Sequence, residues 1–439
     1  MFESVVELAS WQDLIVYALI LWATTGLTLI HLGVLSVQGT RAAFRYLSGR
    51  SRRVEPTPVE EEEGPLPDLS FAFLVAVYND ALTIGPCIDS LLSQSVRPAQ
   101  VVVVNDGSTD ETAQVLEQYR SKGVTIVTMP RNSGKSHALE AALPYVTTDL
   151  VAITDADSLV DRDYVRQMLL AFGRNPDLKA IGGAVESIPH TWITAARQVD
   201  YMLTVGINRN AEHHMNTLVV LPGVSSTYRT TILKQMGYDH DTIAEDFDLT
   251  FRMHKAGHKI GFNLKAKVYT SDPPTLKSYY RQMRRWNMDF WMVVKKHRDV
   301  LGKRAFGTVE VPLILLNTTL SSVLFLGLPV YFALYEPHRL WTFLIIGTVI
   351  DTALVVLAHK LYKRTDVYWS LLSRYPTRVA ARWSFLVAMT RVLSGRPGME
   401  WGKLERRRTD AFLAKMGGQV VDLKTPESEP PAPPTPGSR

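Results

Sequence analysis

A chain of 439 residues with 46% hydrophobic content is long enough for one large domain or two, with membrane segments beside them. Lysine and arginine number 48 against 43 acids, and a net charge of +5 is too mild to argue for nucleic acid. The bases gather beside apolar segments, which makes a lipid bilayer the better anionic partner. One cysteine, Cys87, excludes an internal disulfide and a thiolate metal cluster, and suits a reducing compartment for the folded part.

Leu14 to Leu35 is nearly free of charge and reaches the roughly 20 residues that cross a bilayer, so it is expected to span. No base precedes it, as one would in a cleaved signal peptide. Arg41, Arg45, Arg50, Arg52 and Arg53 come after it, which places the N-terminus outside and everything from Arg41 onward in the cytoplasm. Val54 to Asp68, with its prolines and the acidic run Glu60 to Glu63, reads as a solvated linker.

From Ser70 the pattern is α/β. Apolar runs Phe71 to Val77, Val101 to Val104, Thr125 to Met129 and Leu150 to Thr154 alternate with helical stretches, which predicts a parallel, doubly wound sheet. The fourth run stops at Asp155 and Asp157. At the carboxyl end of such a strand two carboxylates suit a divalent ion and the phosphates it carries, although a lone pair of this kind is as readily a loop before a helix start at Asp161. Asn105 to Gly107 read as the tight turn after the second strand, so Asp106 shares the edge with Asp155 and Asp157. Such a turn needs no function by itself. Ser108 and Glu111 have capping-box spacing and predict a helix from there. Lys135 stands at the helix start of Gly134 to Tyr145, where a base opposes the helix dipole and is either solvated or held by an anion. Leu221 to Leu233 reads as a small-residue loop leading to a helix. Glu245, Asp246 and Asp248 open another helix, as ordinary capping acids or as a base.

Lys277 to Arg298 is dense in bases and aromatics and suits a helix in the headgroup region. A nucleic-acid-binding helix would share that composition, but this one leads directly into membrane segments. Val311 to Leu334 and Leu340 to Ala358 predict a spanning hairpin with the loop Tyr335 to Arg339 outside. Asp351 falls within the second arm and needs a partner or a wet path. Trp383 to Ser394 contains Arg391 and is too short to span, so it reads as interfacial or re-entrant. Beyond Arg406 to Arg408, the proline-rich stretch Lys424 to Arg439 is expected to be disordered.

Taken together, Val77-Tyr78-Asn79-Asp80, Val104-Asn105-Asp106-Gly107-Ser108, Gly134-Lys135, Asp155-Ala156-Asp157, Glu245-Asp246 and Gln282-Met283-Arg284-Arg285-Trp286 resemble the inverting, membrane-bound family 2 glycosyltransferases. These are the synthases of cellulose, hyaluronan, chitin-like polymers and poly-N-acetylglucosamine, and the last five residues fit the family's Gln-x-x-Arg-Trp signature. The likeness covers Leu69 to His297 and leans toward the poly-N-acetylglucosamine synthases.

That resemblance implies a GT-A fold, a UDP-sugar donor, a saccharide or lipid acceptor, and Mg2+ or Mn2+. It gives Tyr78, Asp80 and Asp106 the uridine, Lys135 the nucleotide, and Asp157 with Asp155 the metal. Asp246, with Glu245 beside it, is the expected general base. Gln282, Arg285 and Trp286 are expected to close over the diphosphate and present an aromatic face to the acceptor, in a pocket shaped by Gly223 and Ser225. The family's proline is replaced by Ala76, its glutamate by Asp80, and a frequent acid by Ser271.

The implied organisation is a spanning helix with its basic flank (1–53), a linker (54–69) and the transferase domain (70–276). An interface helix (277–306), a spanning hairpin (307–364), an interfacial segment (365–410) and a tail (411–439) complete it. Three spans are few for a polymer channel, so a small membrane partner, a homo-oligomer or interface helices are expected to complete the path.

Overall fold

The structure, a computed structural model, describes residues 11–25, 30, 31, 33–37, 65–240, 244–362 and 365–396. The basic flank Arg41 to Arg53, most of the acidic linker and the C-terminal tail lie outside the described residues.

The first helix, α1 (Trp11–Thr25), precedes a sheet whose first half alternates strand and helix: β1 (Phe71–Val77), α2 (Ile84–Leu92), β2 (Gln100–Asn105), α3 (Thr112–Arg120), β3 (Thr125–Thr128), α4 (Lys135–Ala142) and β4 (Leu150–Asp155). Side chains of a strand alternate between faces. Phe71, Phe73, Val75 and Val77 therefore pack with Ile84, Ile88, Leu91 and Leu116 on one side, while Ala72 and Leu74 pack with Leu139 and Leu143 on the other. Burial on both faces is why these strands read as unbroken apolar runs. Each large side chain withdrawn from water contributes about 1.5–3 kcal/mol.

The second half holds β5 (Ser158–Val160), α5 (Tyr164–Arg174), β6 (Leu178–Ser187), α6 (Trp192–Leu203), α7 (Asn210–Met215), β7 (Ser226–Arg229), α8 (Thr230–Met236), α9 (Glu245–Ala256) and β8 (Lys259–Thr270). The order across the sheet is β3-β2-β1-β4-β7-β6-β8-β5. The first four strands are parallel, β7 runs antiparallel to β4 and β6, β8 is parallel to β6, and β5 is antiparallel to β8. The sheet is α/β and mostly parallel, as expected. Because Val77 pairs with Asn105 and Ala76 with Asp155, the loops after β1, β2 and β4 leave from one edge. Beneath that edge the buried Cys87 thiol donates to Asp155 O at 3.5 Å, and burial raises its pKa.

Two local expectations fail. The helix after β2 begins at Thr112, not Ser108, because the capping groups are used elsewhere. The Ser108 hydroxyl accepts from Asn79 N–H at 3.0 Å, and Asp110 Oδ1 accepts from Thr112 N–H at 3.0 Å. Gly107 holds φ +66 in this turn, and a Cβ there would lie 2.5 Å from the Arg131 carbonyl carbon. The stretch Leu221 to Leu233 is likewise not all loop, since Ser226–Arg229 is an interior strand.

The C-terminal part is helical: α10 (Leu276–Lys296), α11 (Val311–Tyr335), α12 (Pro337–Tyr362) and α13 (Arg374–Leu393). Phe306–Tyr335 and Pro337–Lys360 are long and apolar enough to cross a membrane. The hairpin loop shrinks to Glu336, because Pro337 already starts the next helix, as proline favours. The unbroken described part of the N-terminal helix is 15 residues, shorter than the span expected there. Its Ile20 and Ala23 pack with Phe325, Phe332 and Phe343 of the hairpin. The last helix is longer than Trp383 to Ser394 and lays Phe385, Ala388 and Val392 against Trp291 and Val294 of α10.

Candidate active site

Lys135 is where the distant segments meet. Gly134, at φ +94, turns the chain into α4 so that Lys135 is its first residue. The Lys135 ammonium lies 2.6 Å from Asp155 Oδ1 at the end of β4 and 2.9 Å from Glu245 Oε1 at the start of α9. Burial alone would lower the pKa of Lys135, but the Asp155 and Glu245 carboxylates outweigh it and hold the value well above normal.

Asp246 is next on the same helix. Its Oδ2 accepts from Gly223 N–H at 3.1 Å and its Oδ1 from Phe247 N–H at 2.8 Å. Burial pushes its pKa up to about 6 and Glu245 adds to this, against the lowering effect of Lys135 and the two N–H groups. A carboxylate so placed is charged at neutral pH yet poised to take a proton. Gly223 approaches so closely that a Cβ on it would lie 3.3 Å from both Asp246 Oδ2 and Lys135 Nζ.

Along the sheet edge the expected nucleotide residues take different positions. Tyr78 is 38% exposed. Asp80 lies two residues on, with its N–H donating to the Thr112 hydroxyl at 2.9 Å. Asp106 is buried, and its two oxygens accept from Ser133 N–H and Gly134 N–H, each at 2.8 Å. Its carboxylate therefore shapes the loop that presents Lys135.

Asp155 and Asp157 are half-buried on either side of Ala156, and the Ser158 hydroxyl donates to Asp157 at 3.4 Å. Among the described residues no three His, Cys, Asp or Glu side chains gather as a metal site. Two hard carboxylates at an exposed strand end fit Mg2+ or Mn2+ of the kind that completes its shell with phosphate oxygens and water.

From the other side, α10 brings the signature segment. Gln282 is buried with Oε1 lacking a hydrogen-bond partner, Arg285 is exposed, and Trp286 is half-buried with the Arg197 guanidinium 5.1 Å from its ring centre. One further turn along is Asp289, which sequence reasoning missed. Burial pushes its pKa up to about 7; Arg285 opposes this, while Asp246 and Glu245 add to it. Its spacing of four from Arg285 and seven from Gln282 was the available signal. Arg197 was also missed, as a lone base on an apolar helix.

Ser225 is a correction. It is fully buried, its hydroxyl donates to Gly183 O at 2.9 Å, and its side chain belongs to the sheet's interior rather than to an acceptor pocket. Only the glycine of that pair reaches the site.

Residues 67–289 match the family described as Glycosyltransferase like family 2. The poly-beta-1,6-N-acetyl-D-glucosamine synthase of Staphylococcus epidermidis is 26% identical over 235 residues, 51% of this chain and 57% of that protein. The protein of the same name from Staphylococcus aureus (strain COL) is 27% identical over 231 residues, 52% and 55% respectively. The chain thus spans about half the length of the curated relatives it matches. Among solved structures, a mannosyltransferase from Pyrobaculum calidifontis in complex with GDP-Man and Mn2+ aligns with a TM-score of 0.52 at 21% identity, covering 86% of this chain and 99% of that one, a likeness of fold. The family match runs from just before β1 to Asp289 and takes in every segment that converges on Lys135, so the chain belongs to glycosyltransferase family 2 and is a glycosyltransferase of GT-A fold.

Proposed function

We propose that this transferase uses a UDP-sugar, with UDP-N-acetylglucosamine the first choice, to extend a β-linked polymer by inversion at a membrane. The observation that carries the reading is the convergence of Lys135, Asp155, Glu245, Asp246 and Gly223 from four segments onto one point at the strand ends. The names of the curated relatives support the choice of sugar.

On this reading Tyr78 and Asp80 take the uridine, and Asp106 holds the loop beneath it. The Lys135 ammonium exchanges a carboxylate for a diphosphate oxygen, so the donor needs no new cation at that point. Asp155 and Asp157 would hold Mg2+ or Mn2+, which supplies positive charge against that building on the leaving diphosphate. Asp246 accepts the proton of the acceptor hydroxyl as its oxygen bonds to the anomeric carbon from the face opposite UDP. The carbon–oxygen bond to the diphosphate breaks, its electron pair leaves with UDP, and α becomes β. Exposed Arg285 folds over the diphosphate, Gln282 steadies it, and Trp286 stacks on the acceptor sugar.

The helices α11 and α12 would anchor the enzyme in the bilayer, with the N-terminus outside and the catalytic domain in the cytoplasm. A second copy or a small membrane partner would complete a path for the polymer. The test incubates purified protein with labelled UDP-GlcNAc, UDP-Glc, UDP-GlcA and UDP-Gal and measures UDP release and product size. A polymer from one donor, abolished in Asp246→Asn, supports the reading. A product of lipid plus a single sugar rejects extension, and equal release by the variant rejects the base.

A further inference from the structure

Beside Trp286 the structure gathers four guanidiniums that none of these steps uses. Arg374, Arg378 and Arg382 recur every four residues along one face of α13. Asp351 of α12 lies 2.7 Å from Arg374 and 2.7 Å from Arg378, and Asp200 of α6 lies 3.4 Å from Arg374. Arg197, also on α6, has Asp272 at 3.5 Å and packs against the rings of Tyr201, Tyr279 and Trp286. Among the described residues three carboxylates thus serve four guanidiniums. Arg382 reaches none of them; among the described residues its hydrogen bond is to the Ser321 hydroxyl, at 2.6 Å. Arg197 is 5% exposed and its Nη2 has no hydrogen-bond partner.

A guanidinium withdrawn from water without a counter-ion is unfavourable, so the cluster attracts an anion. Ser321 and Asp351 lie within α11 and α12, both apolar enough to cross a membrane, which puts the surplus charge where only an amphiphile carries an anion. The planar guanidinium fork matches phosphate oxygens. On α13 Val379 and Trp383, each one residue from a guanidinium, and on α11 Leu320, one residue from Ser321, are exposed and offer a bed for hydrocarbon. The Asn287 amide donates to the Ser384 hydroxyl at 2.8 Å, tying α13 to α10 one residue beyond Trp286.

We propose that Arg197, Arg378 and Arg382 form a site for the phosphate of a membrane lipid, whose chains run along α11 and α13. A phospholipid headgroup, a phosphodiester, and a polyprenyl phosphate, a monoester, both present anionic phosphate oxygens to these side chains. The site goes beyond the donor chemistry above and rests on that reading only for the side on which the acceptor lies.

The test uses full-length protein in phosphatidylcholine nanodiscs, titrated without donor with phosphatidylglycerol or with undecaprenyl phosphate, and scores retained lipid by native mass spectrometry. Wild type is expected to keep an anionic lipid in preference to phosphatidylcholine, and Arg382→Gln to weaken this about tenfold. Arg382→Lys, which keeps charge without the fork, is expected to lose a few-fold, and it carries the test should the glutamine variant not fold. Retention of undecaprenyl phosphate that then takes label from a UDP-sugar supports the site and makes its occupant an acceptor. Equal retention of phosphatidylglycerol without label supports it as a headgroup site. No preference over phosphatidylcholine, or unchanged affinity in the variants, overturns it. Because retention is scored before any donor is added, it is independent of UDP release.

Discussion

Gly223 donates its backbone N–H to Asp246 Oδ2 at 3.1 Å, so the proposed base is aimed by a residue that has no side chain to obstruct it. The contact joins the loop before β7 to the first turn of α9. Asp246 thus depends for its direction on a chain segment 23 residues away.

Gly223→Ala puts a methyl group 3.3 Å from both Asp246 Oδ2 and Lys135 Nζ. These atoms must give by a few tenths of an ångström; since a misplacement of about 1 Å at a reacting group costs about 100-fold, kcat is expected to fall by a smaller factor, on the order of tenfold. Folding should survive, since Gly223 is not at a positive φ. Steady-state kinetics together with a melting curve check both halves.

Asp246 should show its raised pKa in activity and stability with opposite signs. Turnover is expected to fall as pH drops through about 6, because the base becomes protonated. For stability, an acid whose folded pKa is raised carries no penalty below its ordinary value of 3.8 and the full penalty above about 6. Asp246→Asn should therefore abolish turnover while raising Tm at pH 8, with the two proteins unfolding together near pH 4. A variant destabilised at pH 8 would show that the carboxylate is a net stabiliser.

Asp289 lies within the electrostatic reach of Asp246 and Glu245. With its pKa pushed up to about 7, Asp289 is mostly neutral where Asp246 titrates near 6, so Asp289→Asn should leave the acid limb of the kcat/KM profile nearly in place, with kcat within a few-fold. A limb moved to lower pH would mean that Asp289 is charged there, held so by Arg285.

Lys135→Met leaves Asp155 and Glu245 without the cation that both face. Donor affinity, measured by titration with UDP, is expected to fall by about 10- to 100-fold, since the diphosphate loses a charge-assisted contact of about 1.5–3 kcal/mol. Asp106→Ala should weaken UDP binding differently, by freeing Ser133 N–H and Gly134 N–H, and should also lower Tm.

Chelation offers a separate check. EDTA should silence the wild type, Mn2+ or Mg2+ should restore it, and Asp157→Asn should need more metal for half-maximal rate. Full activity in chelator would remove the ion from the reaction.

The sequence was most legible where burial is two-sided. Of the parallel strands β1, β2 and β4 have almost no solvent face, so Phe71 to Val77 and its companions carry their identity in unbroken apolar runs, whereas β3 at the sheet edge is partly exposed. The short strand Ser226-Thr227-Tyr228-Arg229 carries no such run, and only its pairing with β4 and β6 makes it a strand. Site residues obeyed a similar division. Lys135, Asp155, Glu245 and Asp246 stand at element ends, where a charge calls for an explanation. Asp289 and Arg197 lie inside helices, and their surroundings arise only when α10 packs against α6 and α9. Ser225 was misread because adjacency in the chain does not distinguish a backbone that approaches the site from a side chain that turns away.

The placement of Cys87 bears on how such events can be watched. With the sole thiol sealed beneath Asp155, a maleimide has nothing to modify on the folded surface. Cysteines introduced at Tyr78 or Arg285 can therefore carry fluorophores without background. The native thiol is itself a clock: its slow modification reports how often the end of β4 lifts, and bound nucleotide should slow it further.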